Sequence, residues 1–250
     1  KDVLGPLMRA YRLEQGAHDV QALPPLPTGT EPGAETTLLE RAKVLVDTGE
    51  LNPIQSEDRQ QKIGGPIFTF EEGLAKWGLQ PADIDVVIHT HLHRDHCEND
   101  FKCVNADFYV HQKELDTIRA YHPLDYRYVE DFILDIEEND QIKKISTDRE
   151  ILPGIDVVHT PAHTPGGLSV RVTTPGGKAV ITSFCTIFEN LYPPREVLGM
   201  DLEVIPPGTH VNAYEAYDIL LKTKESGDYI LPLHEPRFAS METISQPVMP

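Results

Sequence analysis

Four side chains able to bind a metal fall within six residues, in the run His91-Leu92-His93-Arg94-Asp95-His96. Imidazole nitrogen and carboxylate oxygen are ordinary zinc ligands. In an extended or tightly turned segment, alternate residues project to the same side. His91 and His93 are then placed to grip one ion together, while Asp95 and His96 turn toward a neighbouring point. Arg94 sits between them and is expected to point outward. The alternative is a solvated, His-rich loop, but such a loop has little reason to follow directly on a buried strand.

Ligands of this kind need rigid support. Ile84–His93 reads IDVVIHTHLH and Ile155–His163 reads IDVVHTPAH. In both, a β-branched strand runs into a turn that presents histidines. DYILPLH (Asp228–His234) is a weaker third instance. Residues at the end of a buried strand cannot wander, so a site built there is preorganised at the rim of the core. Further elements follow from pattern. A strand is expected over Lys43–Asp47, closed by Thr48-Gly49, then a polar loop over residues 52–66. Helical spacing runs through FTFEEGLAKWGL, HQKELDTIRAY and DYRYVEDFIL. IDVVHT and KAVITSF read as strands after Pro-Gly and Gly-Gly turns. NAYEAYDILLKTKES reads as an amphipathic helix with Asn212 as its N-cap. Interleaved helices and strands give an α/β or α+β class with layered packing.

The 250 residues (28.0 kDa) suit a single domain over 1–250, with an irregular Pro-rich segment at 21–33 and an irregular tail at 236–250. Hydrophobic residues at 40% and charged residues at 25% exclude global disorder. No apolar run approaches the ~20 residues that cross a bilayer. A net charge of −18 disfavours nucleic acid and anionic membranes. Cys97, Cys103 and Cys185 make no disulfide framework. Residues 1–16 lack the apolar stretch of a signal peptide, so a cytoplasmic protein is expected. A homodimer is compatible with the sequence.

H-x-H-x-D-H is the signature of the metallo-β-lactamase superfamily, and this chain resembles that superfamily from Thr37 to Glu235. The resemblance implies a four-layered αβ/βα sandwich with a metal site along one edge. LVDTG (Leu45–Gly49) resembles the family's early strand, whose aspartate supports the metal ligands. GLQPADIDVVIHTHLHRDHCEND is similar to the N-acyl-homoserine-lactone lactonase branch. LPGIDVVHTPAHTPGGLSV is similar to the next metal motif, which implies that His163 is the third histidine of the first ion. ILPLHEP resembles the last motif, which implies that His234 binds the second ion.

Two positions depart from the pattern. The family carries an aspartate shared by both ions after a strand like KAVITSF; here Cys185 takes that place. It is either a zinc ligand or a buried structural thiol. As a ligand it favours zinc over manganese or magnesium; iron is less expected because flavodiiron relatives have a carboxylate where His93 stands. The lactonase branch also has a tyrosine three residues further on, where this chain has Phe188, which cannot donate a proton. Tyr192, Tyr126, Tyr128 and His122 are the candidate replacements. The resemblance implies two zinc ions and a metal-bound hydroxide that attacks the carbonyl of a small-molecule lactone or related ester. Asp95 would be both ligand and catalytic proton acceptor. A glyoxalase II-like thioesterase, a β-lactam hydrolase and a non-catalytic metal-binding or regulatory protein are the alternatives.

Overall fold

The computed structural model describes residues 42–200 and 202–241. The Pro-rich segment at 21–33 and residues 242–250 of the tail lie outside the described residues. The strands are β1 (Val44–Val46), β2 (Val86–Ile88), β3 (Asp107–His111), β4 (Ile142–Ile145), β5 (Arg149–Leu152), β6 (Ile155–His159), β7 (Leu168–Thr174), β8 (Gly177–Ile181) and β9 (Tyr229–Leu231). The helices are α1 (Glu57–Ile63), α2 (Phe70–Ala75), α3 (Arg94–Cys97), α4 (Gln112–Arg119), α5 (Asp131–Glu138), α6 (Phe188–Leu191), α7 (Arg195–Leu198) and α8 (Ala213–Lys224).

Strands β1 to β4 form one parallel sheet in sequence order. Parallel neighbours need crossover connections, and helices laid along those crossovers bury the sheet. Strands β5 to β8 form an antiparallel meander, and β9 joins β8 in parallel after the α8 crossover.

Alternation along each strand divides the core. Val87 and Phe108 point to the layer containing Phe70, Leu115 and Ile133 from the helices. Val86 and Ile88 point the other way, onto Val157, Val170, Ile181 and Leu231 of the second sheet. On that sheet's far side, Val180 and Ile230 meet Ala216 and Leu220 of α8. The result is the expected αβ/βα stack. Each such Val, Leu, Ile or Phe contributes roughly 1.5–3 kcal/mol by leaving water.

Local chemistry sets the ends. The Asn212 side chain accepts from the Tyr214 and Glu215 amides at 2.9 and 3.1 Å, as the sequence predicts for a cap. The loop expected over 52–66 instead contains α1. Ser56 caps it, Glu57 and Asp58 occupy its first turn, and Gly64 ends it at φ 76°. The DYRYVEDFIL helix begins later than expected, at Asp131, because Asp125 and Arg127 turn toward the site. The tail is not irregular from its start: Pro236–Ser240 forms a 3-10 turn, and buried Phe238 packs on Phe188.

Candidate metal centre

Strand β2 hands the chain directly to the histidine run. His89, His91, His93 and His96 are buried, and His93 is the N-cap residue of α3. His163 arrives from the loop between β6 and β7. The ring centroids of His91 and His93 lie 4.7 Å apart, and both stand 4.8–4.9 Å from His163. One nitrogen from each of the three falls within 4.8 Å of the others.

Hydrogen bonds decide which nitrogen each ring offers. His91 Nδ1 donates to Thr90 Oγ1 at 2.9 Å, and that hydroxyl donates to Asp47 Oδ2 at 2.7 Å. His91 Nε2 is left buried with no hydrogen-bond partner among the described residues. His163 Nδ1 donates to the Thr209 carbonyl at 2.8 Å, which leaves Nε2 as its lone pair. His93 Nε2 donates to Asp125 at 3.2 Å, which leaves Nδ1. A buried polar atom without a partner is costly. A cation among three imidazole lone pairs supplies the missing partner, so these residues fit a zinc-type ion.

The electrostatics agree. Burial, then the neighbouring imidazoles, hold His91 and His163 well below the usual histidine range, so both are neutral donors at neutral pH. Burial also lowers His93, against the pull of Asp125. Burial works to raise Asp125, but His93 and then Arg127 bring that carboxyl down to about 2.

Asp47 organises the floor of the site. It ends β1 in the left-handed region at φ 58°, a strained conformation for a non-glycine residue. Its carboxylate accepts from the Thr90 amide at 2.8 Å and from His96 Nδ1 at 2.8 Å. Burial opposes ionisation, yet His96 and His89 carry Asp47 far below the usual carboxylate range. His89 lies between Asp47 (3.4 Å) and buried Asp100 (2.9 Å). Burial pulls His89 down, but Asp100 and Asp47 raise it to about 10, so the ring keeps its proton between the two carboxyl groups, while burial pushes Asp100 itself above the usual carboxylate range.

The remaining named residues lie around this cluster. The His96 ring stands 3.8 Å from His91 and 5.7 Å from His234. Asp95 Oδ1 is 3.9 Å from His96 Nε2. Burial, opposed by Asp47 and Asp95, leaves His96 above its ordinary value. Half-buried Cys185 follows β8. Burial pushes its thiol up, and a hydrogen bond with the Thr209 side chain pulls it back. Thr209 thus touches both Cys185 and His163. Arg94 points outward onto Glu98 at 2.8 Å, and Cys97 and Cys103 are buried free thiols.

The candidate proton donors separate. Phe188 is buried and packs on Phe238 and Tyr192. Tyr126 and His122 are exposed. The Tyr128 ring lies tilted 4.5 Å from the His93 ring, but its hydroxyl is committed to Glu114 at 2.9 Å. Outside the site, His159 stacks on His111 at 4.2 Å and donates to the Pro165 carbonyl. Sequence reasoning missed Thr90, Asp100 and Asp125. Thr90 and Asp100 flank the motif. Asp125 comes from another part of the chain with no local signal.

Residues 36–183 match the metallo-β-lactamase superfamily, and the chain belongs to it. It is 29% identical over 182 residues to an N-acyl homoserine lactonase of a Bacillus species, covering 66% of this chain and 68% of that protein. Over 164 residues it is 30% identical to a probable metallo-hydrolase of Methanocaldococcus jannaschii, covering 66% of this chain and 63% of that one. Among solved structures, an N-acyl homoserine lactone hydrolase with N-hexanoyl-L-homoserine at its catalytic metal centre superposes with a TM-score of 0.55. That match has 25% identity and covers 75% of this chain and 72% of the other. Fold, imidazole cluster and relatives together place the chain in the class of metal-dependent hydrolases.

Proposed function

We propose that the chain is a zinc-dependent hydrolase acting on a small-molecule lactone or related ester. His91, His93 and His163 would hold a primary ion, and Asp95, His96, Cys185 and His234 would hold a second. The observation that carries this reading is the buried His91 Nε2, unpartnered among the described residues and grouped with two further imidazoles. A donor set of imidazole, carboxylate and thiolate favours zinc over harder ions.

Bound zinc is a Lewis acid that lowers the pKa of its water from ~15.7 to roughly 7. The chain's own groups do the rest. Thr90, Asp125 and the Thr209 carbonyl fix the three ring tautomers. Asp95, beside His96, accepts the proton at its carboxylate. Phe188 is core and the Tyr128 hydroxyl is held by Glu114, so neither protonates a leaving group. Substrates whose leaving group departs as a weak base, such as aryl esters, therefore need no acid from these side chains; the strongly basic alkoxide of an aliphatic lactone would be neutralised by the second ion. The likeness to N-acyl homoserine lactonases supports the same class. The test is a panel of lactones, aryl esters, thioesters and β-lactams on zinc-loaded protein. Turnover of lactones or aryl esters is expected; no turnover of any substrate at full zinc occupancy would reject the reading.

Cys185 has its own test. Alanine there is expected to lower zinc from two ions per chain toward one, while aspartate retains two. Elemental analysis under reducing conditions reads the ratio. Two ions in Cys185→Ala would remove the thiol from the ligand set.

A further inference from the structure

Glu114 lies in the first turn of α4, in a sequence that reads as an ordinary solvated helix face, yet it is only 1% exposed. A carboxylate that deep in the fold must be hydrogen-bonded. Its Oε2 accepts from the Leu92 amide at 3.0 Å and from the Tyr128 hydroxyl at 2.9 Å. Its Oε1 accepts from the Gly166 amide at 2.8 Å. Leu92 stands between His91 and His93. Gly166 follows His163 by three residues. One carboxylate therefore holds both ligand-bearing loops, which come from different sheets.

Gly166 supports this arrangement. A Cβ at that position would lie 2.6 Å from the Glu114 backbone nitrogen and 2.8 Å from its Cγ. Only glycine lets the His163 loop come close enough for its amide to reach the carboxylate. The third arm, Tyr128, lays its ring 4.5 Å from His93. One backbone bond, Leu168 N to Thr90 O at 2.8 Å, joins the same two segments independently.

We infer that Glu114 is a positioning residue for the metal centre: its carboxylate straps the His91–His93 loop to the His163 loop and sets the spacing of the three imidazoles before an ion arrives. This rests on His91, His93 and His163 being the ligands. Groups that orient metal ligands from behind are worth roughly ten- to hundredfold in metal affinity. Glutamine is nearly isosteric, but its amide turns one acceptor into a donor that faces another donor, so one arm must open.

The test titrates cobalt(II) into wild type, Glu114→Gln and Tyr128→Phe against a chromophoric chelator, and records the visible absorption of the bound ion. Amide exchange at Leu92 and Gly166 is followed in metal-free wild type. Glu114→Gln is expected to lose roughly ten- to hundredfold in cobalt affinity and to shift the cobalt bands. Tyr128→Phe, which keeps both backbone arms, stays near wild type. Both amides exchange slowly without metal. Wild-type cobalt affinity and bands in Glu114→Gln, with only a loss of stability, would overturn the proposal. So would an equal loss in Tyr128→Phe. Should Glu114→Gln fail to fold, rapid exchange at either amide in the metal-free wild type overturns it, and slow exchange at both supports it. A wild type that binds no cobalt, with both amides still protected, would instead refute the ligand assignment itself.

Discussion

Alanine at His163 is expected to empty the primary site and abolish hydrolysis. The three rings converge within 4.8 Å, and each uses its other nitrogen to hold itself in place. Losing one leaves two imidazoles and a gap where the third donor stood. The loss in affinity should exceed the roughly ten- to hundredfold cost of removing a supporting partner. His91→Ala is expected to behave alike, whereas His234→Ala should mainly weaken the second ion. Zinc per chain after desalting, measured beside initial rates, checks all three. Equal zinc in wild type and His163→Ala would contradict the assignment.

Leucine at His89 is expected to be among the most destabilising single changes in the fold. His89 separates two buried carboxylates, Asp47 at 3.4 Å and Asp100 at 2.9 Å. Stripping one partner from a buried charged network costs roughly 3–5 kcal/mol. The sign with pH follows. His89 is raised in the fold from 6.5 to about 10, so its contribution is fully present below pH 6.5 and fades as pH rises through about 10. Denaturant melts of wild type and His89→Leu at neutral and alkaline pH read both effects. A loss under about 1 kcal/mol at neutral pH would mean that the protonated His89 ring is not holding the two carboxyl groups together.

Much of the imidazole cluster was legible because its histidines sit at strand ends with local patterns. The His91–His96 run and the His163 turn each follow a β-branched strand, and both strands formed where the sequence placed them. The pattern of elements gave only a layered α/β or α+β class; the αβ/βα layer order came from the family resemblance. What escaped reading was long-range. Glu114, Asp125 and Asp100 look like solvent-facing acids, because a single sequence shows neither the amides nor the rings that fold against them. Helix α1 was missed for a different reason: Ser56 and Gly64 are ordinary start and stop signals, but the polar residues between them lack an apolar stripe, and only Ile63 is buried. Strand β3 was hidden by the helix that follows it without a break at Gln112.

His93 and His163 are 70 residues apart and follow strands of different sheets. An ion shared between them would therefore act as a removable cross-link. It would close a long loop, whose entropy cost grows only slowly with length, and tie the two halves of the sandwich at one rim. Resistance to proteolysis and the sharpness of thermal melting would then track free zinc, since whatever binds only the folded chain adds to its stability in proportion to the logarithm of its concentration over Kd. The lifetime of the protein would be coupled to metal supply through the same three rings proposed to hold its catalytic ion.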